Sequence, residues 1–188
     1  MEFTLREEKF IQYYATKKEL SHVEKVKLAF GLRMVTREMK KVVVIYGIAL
    51  WMGLLWEMLI VQIGFLFVRQ VAYGLHCTSS KVCLVVSSIL FPSIAWIVIT
   101  LTVTPLALWG CYLLTLAILL GVGPTSSQKT KVRSKKHYTF LYKKLVVRLC
   151  AGSIGLLFLP TQVGALIVAG IMMSTTLVVL AKIQHKGE

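Results

Sequence analysis

The chain has 188 residues, of which 56% are hydrophobic and 16% charged, with a mean hydropathy of +0.73, whereas a soluble domain carries about 25% charged residues. These values exclude an ordinary water-soluble fold and indicate one domain, residues 1–188, whose solvent is mostly the lipid bilayer. A net charge of +14 would suggest nucleic acid in a soluble protein. Here the basic residues flank apolar runs, the pattern of cytoplasmic loops, so no nucleic-acid partner is expected.

Residues 1–41 hold ten Lys or Arg against six Glu. Phe10, Tyr13, Tyr14, Leu20, Val23 and Leu28 recur at helical spacing, which predicts one or two amphipathic helices on the inner membrane surface. Ser21 followed by Glu24 fits a capping box that would open the second of them. The start lacks a short basic stretch followed by an apolar run and a small-residue cleavage site, so no secretory signal peptide is expected.

The first apolar run, residues 42–68, is interrupted only by Glu57 and Gln62. The polar stretch RQVAYGLHCTSSK follows at 69–81, and a second apolar run covers 82–123. At about 20 residues per span the second run must cross twice, turning near Thr102, Thr104 and Pro105. Residues 124–144 carry seven Lys or Arg and no acid, which assigns them to the cytoplasm. The last run, 145–181, is broken at Leu159-Pro160 and flanked by Lys182 and Lys186, giving two more spans.

Two crossings between 82 and 123 put the stretch 69–81 on the same side as the basic loop. If the charged N-terminus is also inside, residues 42–68 must enter and return as a short or re-entrant hairpin turning near Gly53 to Glu57, although 27 residues make one comfortable span and two cramped ones. The expected fold class is therefore all-α: a polytopic helical membrane protein with N-terminal amphipathic helices, about four full transmembrane helices and a hairpin, up to six spans.

Asp and Asn do not occur in the chain, which removes the usual third members of hydrolytic triads and many metal ligands. No cofactor or zinc spacing is expected. Of the four cysteines, Cys111 and Cys150 lie deep in apolar stretches and read as small buried hydrophobes. The residues able to break bonds are His76, Cys77 and Cys83, beside a membrane span.

On a continuous helix His76 and Cys83 would stand about 10 Å apart along the axis, so their contact needs a bend. Gly74 permits one, and Thr78, Ser79 and Ser80 are N-cap types before the apolar run. Residues 69–79 would then be loop. With Ser80 as N-cap, Cys83 falls in the first helical turn, where free backbone N–H groups, the helix dipole and Lys81 favour the thiolate. His76 folding back over this start would make a minimal cysteine-protease dyad, with Gln70, Glu57 or a backbone carbonyl left to orient the imidazole.

On composition alone, a solvated His76 and an inert thiol at a helix start is the simpler reading, and Cys77 is a competing nucleophile. Glu57 is either a functional intramembrane acid or an interfacial residue at the hairpin turn. Arg148 can snorkel to the interface. Gly152, Gly155, Gly164 and Gly170 suit close helix packing, and small-residue faces would allow a homodimer.

The string VRQVAYGLHCTSSKVC, with Arg69, Gly74, His76, the Ser79-Ser80 pair and Cys83, resembles the accessory gene regulator protein B family, bacterial cell-membrane peptidases of quorum sensing. The overall length and the basic loop after Gly123-Pro124 are also similar. The resemblance implies an AgrD-type propeptide as substrate, with Cys83 as nucleophile, His76 as its base, and Arg69 and Gly74 at positions the family needs. It further implies a thioester on the enzyme, which a Cys or Ser of the propeptide attacks to close a thiolactone or lactone ring. Cys77 stands where the family would have a small unreactive residue. The competing readings are a small membrane transporter, which would place ionisable groups at mid-depth in several spans, and a non-catalytic membrane adaptor, which would tolerate loss of Cys83.

Overall fold

The computed structural model describes residues 21–74, 79–125 and 134–186. They form six helices and no strand: α1 (His22–Trp51), α2 (Leu55–Ala72), α3 (Ser80–Thr100), α4 (Pro105–Val122), α5 (Lys135–Phe158) and α6 (Thr161–Lys186). The described residues up to Gly47 belong to one compact unit, and those from Ile48 onward to a second.

In the first unit the capping box forms as its spacing predicts. Glu24 Oε2 accepts from the Ser21 backbone N–H at 2.9 Å and from the Ser21 hydroxyl at 2.8 Å, and the Glu24 N–H donates back to Ser21 Oγ. These bonds hold the Glu24 carboxyl below the usual carboxylate range, the Ser21 side chain contributing most. The apolar positions Val23, Val26, Phe30 and Met34 are exposed, and Glu38 pairs with Lys41 at 2.7 Å.

The amphipathic segment does not end where its charge ends. Lys41 and Val42 lie inside one 30-residue helix, because the stretch holds no Pro and a change from charged to apolar side chains leaves the backbone hydrogen-bond ladder intact.

The turn expected near Gly53 to Glu57 is present. Trp51 ends α1, Gly53 takes φ +70°, and the Leu54 N–H donates to the Ala49 carbonyl at 2.9 Å. The two arms are unequal. α2 takes 18 residues, about 27 Å and enough for a full crossing.

α2, α3, α4 and α6 are each long and apolar enough to cross a membrane. α5 is not among them: its first turns are basic, and its apolar second half, from Leu145 to Phe158 and interrupted by Arg148 and Ser153, is shorter than a span. The chain is a membrane protein. The turns predicted at 102–105 and 159–160 both occur, the first with Thr104 as N-cap, its Oγ1 accepting from the Ala107 N–H, and Pro105 at the first helical position.

α6 runs through the middle of the second unit and meets α2, α3 and α4. Its crossing with α2 is a contact of backbones. A Cβ at Gly170 would overlap the Val61 carbonyl, and one at Gly64 would overlap the Ile167 carbonyl. Lipid gives helices little hydrophobic reason to associate, so such close approach supplies the packing.

α4 and α5 are joined by the Tyr112 hydroxyl, which is 2.7 Å from the Leu149 carbonyl and 3.1 Å from Ser153 Oγ. Val71, Leu119, Leu145, Ile171 and Val178 are fully buried between the helices. Cys111 and Cys150 instead lie on the outer surface. In lipid the outer face of a helix is as apolar as its inner face, so apolar context did not separate the two.

Candidate active site

One end of the second unit gathers the C-termini of α2, α4 and α6 and the N-termini of α3 and α5. The buried Ala72 carbonyl, at the end of α2, accepts from Thr125 N at 3.1 Å and Thr125 Oγ1 at 3.3 Å. Lys182 of α6 donates to the Val122 carbonyl at 2.8 Å, capping α4, and the Tyr142 hydroxyl of α5 donates to the Leu120 carbonyl at 3.3 Å. At the far end, Gln162 donates to the Val98 carbonyl at 3.2 Å. Arg69 to Gly74, Ser79 to Lys81 and Pro124-Thr125 thus share one end, as two crossings between them require.

Arg69 and Gln70 are helical, in the last turn of α2, and not loop. No breaker precedes Tyr73, so the apolar helix runs on through them. The chain reverses at Tyr73 (φ 57°) and Gly74 (φ +98°). Gly74 is buried, and a Cβ there would lie 2.7 Å from Arg69 Nη1 and 3.1 Å from the Val178 nitrogen. Its φ and its surroundings both demand glycine. The turn therefore places the Arg69 guanidinium, 5.9 Å above the Phe65 ring, against Gly74 and beside α6.

His76 and Cys77 lie outside the described residues, as does Thr78, so the proposed dyad has no geometry here. Five residue steps separate Gly74 from Ser79, at most about 18 Å of chain, which keeps the start of α3 at the same end. Ser79, not Ser80, is the N-cap: its backbone is extended and its Oγ accepts from the Lys81 N–H at 3.3 Å. Ser80 becomes the first helical residue. Cys83 then makes the first full helical hydrogen bond, from its N–H to the Ser79 carbonyl at 3.1 Å. Its thiol is free and half-buried, one turn from the unpaired N–H groups of the helix start.

Two proposed orienting groups change status. Glu57 stands in the first turn of α2, about 22 Å along the axis from Ala72. Gln70 Oε1 is engaged by Arg148 Nη2 at 3.0 Å. Arg148 does not simply snorkel: Nη1 also donates to the Phe67 carbonyl at 2.9 Å, tying α5 to α2.

Among the described residues, charge at this end is of one sign. Arg69, Lys81, Lys135, Lys136, Lys143, Lys144, Arg148 and Lys182 cluster there, and among the described residues of this unit the carboxylate is Glu57, at the opposite end. No three His, Cys, Asp or Glu side chains gather among the described residues.

Composition did not single out Thr125, Tyr138, Tyr142 or Lys182 as partners of this turn. Gly123-Pro124-Thr125 was the available signal, since a C-terminal glycine followed by proline marks a helix stop. Gly123 takes φ +67°, and a Cβ there would overlap the Tyr138 hydroxyl.

The sequence profile of accessory gene regulator B matches residues 7–180. The chain belongs to the accessory gene regulator B family. It is 27% identical over 146 residues to an accessory gene regulator protein B of Staphylococcus epidermidis, covering 74% of this chain and 75% of the relative. Over 159 residues it is 26% identical to the protein of that name from Staphylococcus intermedius, covering 85% and 84%. Against that of Staphylococcus aureus strain Newman the identity is 23% over 139 residues, covering 71% and 74%. No solved structure matches the chain. Membership ties this membrane protein to autoinducer processing in accessory gene regulator quorum sensing.

Proposed function

We propose that the chain is a membrane-embedded cysteine endopeptidase that removes the C-terminal tail of an AgrD-type propeptide. The observation that carries this reading is the position of Cys83 in the opening turn of α3, at the all-positive end where Arg69, Gly74 and the basic start of α5 meet. The positive-inside rule assigns that end to the cytoplasm.

In the proposed reaction His76 takes the proton of the Cys83 thiol, and the thiolate attacks the carbonyl before the tail. The C–N bond breaks, His76 returns the proton to the leaving amine, and the remaining peptide stays on Cys83 as a thioester. A Cys or Ser of the propeptide attacks the same carbonyl, releases the Cys83 thiol and closes a thiolactone or lactone. Ring closure must outrun hydrolysis, and a site at the lipid edge favours it by limiting water. Lys81, Lys135, Lys136, Lys143 and Lys144 supply long-range attraction for an acidic tail.

The test is co-expression with the propeptide in membranes, following tail removal by mass for the unaltered chain and for Cys83→Ala, His76→Ala and Cys77→Ala. Loss in the first two with Cys77→Ala active supports the dyad. Cleavage by inserted Cys83→Ala rejects Cys83 as the nucleophile and points to Cys77, whereas no cleavage by the inserted, unaltered chain leaves a transporter or an adaptor.

A further inference from the structure

Below Arg148, an open apolar groove of about 230 Å³ runs between α2, α5 and α6, walled by Gly64, Phe67, Gly152, Gly155, Leu159 and Ile167. Its lining offers almost nothing polar to a ligand. From Arg148 to Leu159 is about 16 Å of helix axis, close to half of a hydrocarbon core about 30 Å thick. Arg148, one turn before Gly152 on α5, lies beside the basic end of the groove, with its guanidinium 5.9 Å over the Phe67 ring that walls it. Among the described residues its N–H donors meet the Phe67 carbonyl and Gln70 Oε1, both neutral acceptors. Lys144, one turn nearer the basic end, stacks over Phe140. An open apolar groove of this size, with a cation unpaired among the described residues beside one end, suits part of one acyl chain lying below an anionic headgroup.

We propose that this groove is a binding site for an anionic glycerophospholipid of the leaflet at the basic end, one acyl chain lying over Gly152 and Gly155 and the phosphate meeting Arg148. The site is separate from Cys83 and does not depend on the peptidase reading. Guanidinium donates paired hydrogen bonds to phosphate oxygens, and Gly155, where a Cβ would meet nothing within 4 Å, leaves width for a chain of methylenes.

The test uses the full chain in detergent, offered equal amounts of phosphatidylglycerol and phosphatidylcholine with identical oleoyl chains, and reads retained lipid by native mass spectrometry. One phosphatidylglycerol is expected per chain, preferred roughly tenfold, the size of one charge-assisted contact. Arg148→Gln should abolish the headgroup preference and Arg148→Lys should keep most of it. Gly155→Leu should abolish retention of either lipid. A Cβ at Gly155 meets nothing within 4 Å, so this side chain enters the groove without displacing the fold. Gly121→Leu, at an exposed glycine of α4 also open to 4 Å, should bind as the unaltered chain does. Equal retention of the two lipids by the unaltered chain, or undiminished phosphatidylglycerol binding by Gly155→Leu, would overturn the proposal. So would a dimer that Gly155→Leu dissociates, since the groove would then hold a second copy.

Discussion

The Ala72 carbonyl, the last helical acceptor of α2, takes both its hydrogen bonds from Thr125, 53 positions away in sequence. This double bond to one residue fixes the turn that carries Arg69 and Gly74 to the segment from which the basic loop departs.

Removing the hydroxyl should loosen that link without unfolding the bundle. Thr125→Ala leaves the backbone bond and deletes one partner of a buried carbonyl, a cost of about 1 kcal/mol. Tail removal from the propeptide should slow severalfold, and Thr125→Ser should restore it. Equal rates for the three forms would mean that the turn holds itself.

Gly74 should tolerate no side chain. Its φ of +98° and the 2.7 Å approach to Arg69 Nη1 make Gly74→Ala cost on the order of 1–3 kcal/mol, concentrated at the turn. The variant should insert normally yet lose at least tenfold in tail removal, measured at matched membrane levels.

The glycines divide into two groups that thermal unfolding in detergent should separate. Gly170→Ala drives a Cβ into the Val61 carbonyl and the Phe65 nitrogen and should destabilise by about 1–3 kcal/mol. Gly155→Ala meets nothing within 4 Å and should be neutral or raise stability by up to about 1 kcal/mol through helix propensity.

Much of this architecture was legible from residue types. Thr104-Pro105 and Leu159-Pro160 mark their turns because proline cannot continue a helix, and Ser21 with Glu24 makes its box because three positions bring the two side chains together. Reading Gly170 as a packing residue was right, while Gly155 faces open space and Gly64, unremarked in its apolar run, touches α6. Which face of a span turns inward is hidden when both faces are apolar, and the same cause misassigned Cys111 and Cys150. Arg69 and Gln70 are helical although polar, because polar side chains at the end of a span reach the interface without breaking the helix. The N-cap fell one residue early, at Ser79, since adjacent serines offer the same chemistry.

The helix start of α1 should respond to acid in a defined direction. Glu24 has its carboxyl held low by Ser21. A group whose folded pKa is depressed stabilises above its unfolded pKa, near 4.5, and loses that contribution as pH falls through the folded value. In a carbon-detected NMR titration of the full chain, Ser21→Ala should move the Glu24 midpoint upward. An unchanged midpoint would show that the box is not formed in solution.

In the proposed reaction Cys83 carries the acyl group. The most direct measurement offers the enzyme a propeptide whose ring-closing Cys or Ser is replaced by Ala, quenches in acid, and determines the mass of the intact enzyme and its fragments. The expected product is an adduct of the propeptide without its tail, located on Cys83, released by neutral hydroxylamine and missing from Cys83→Ala. An adduct located on Cys77, or tail removal by Cys83→Ala, would contradict it.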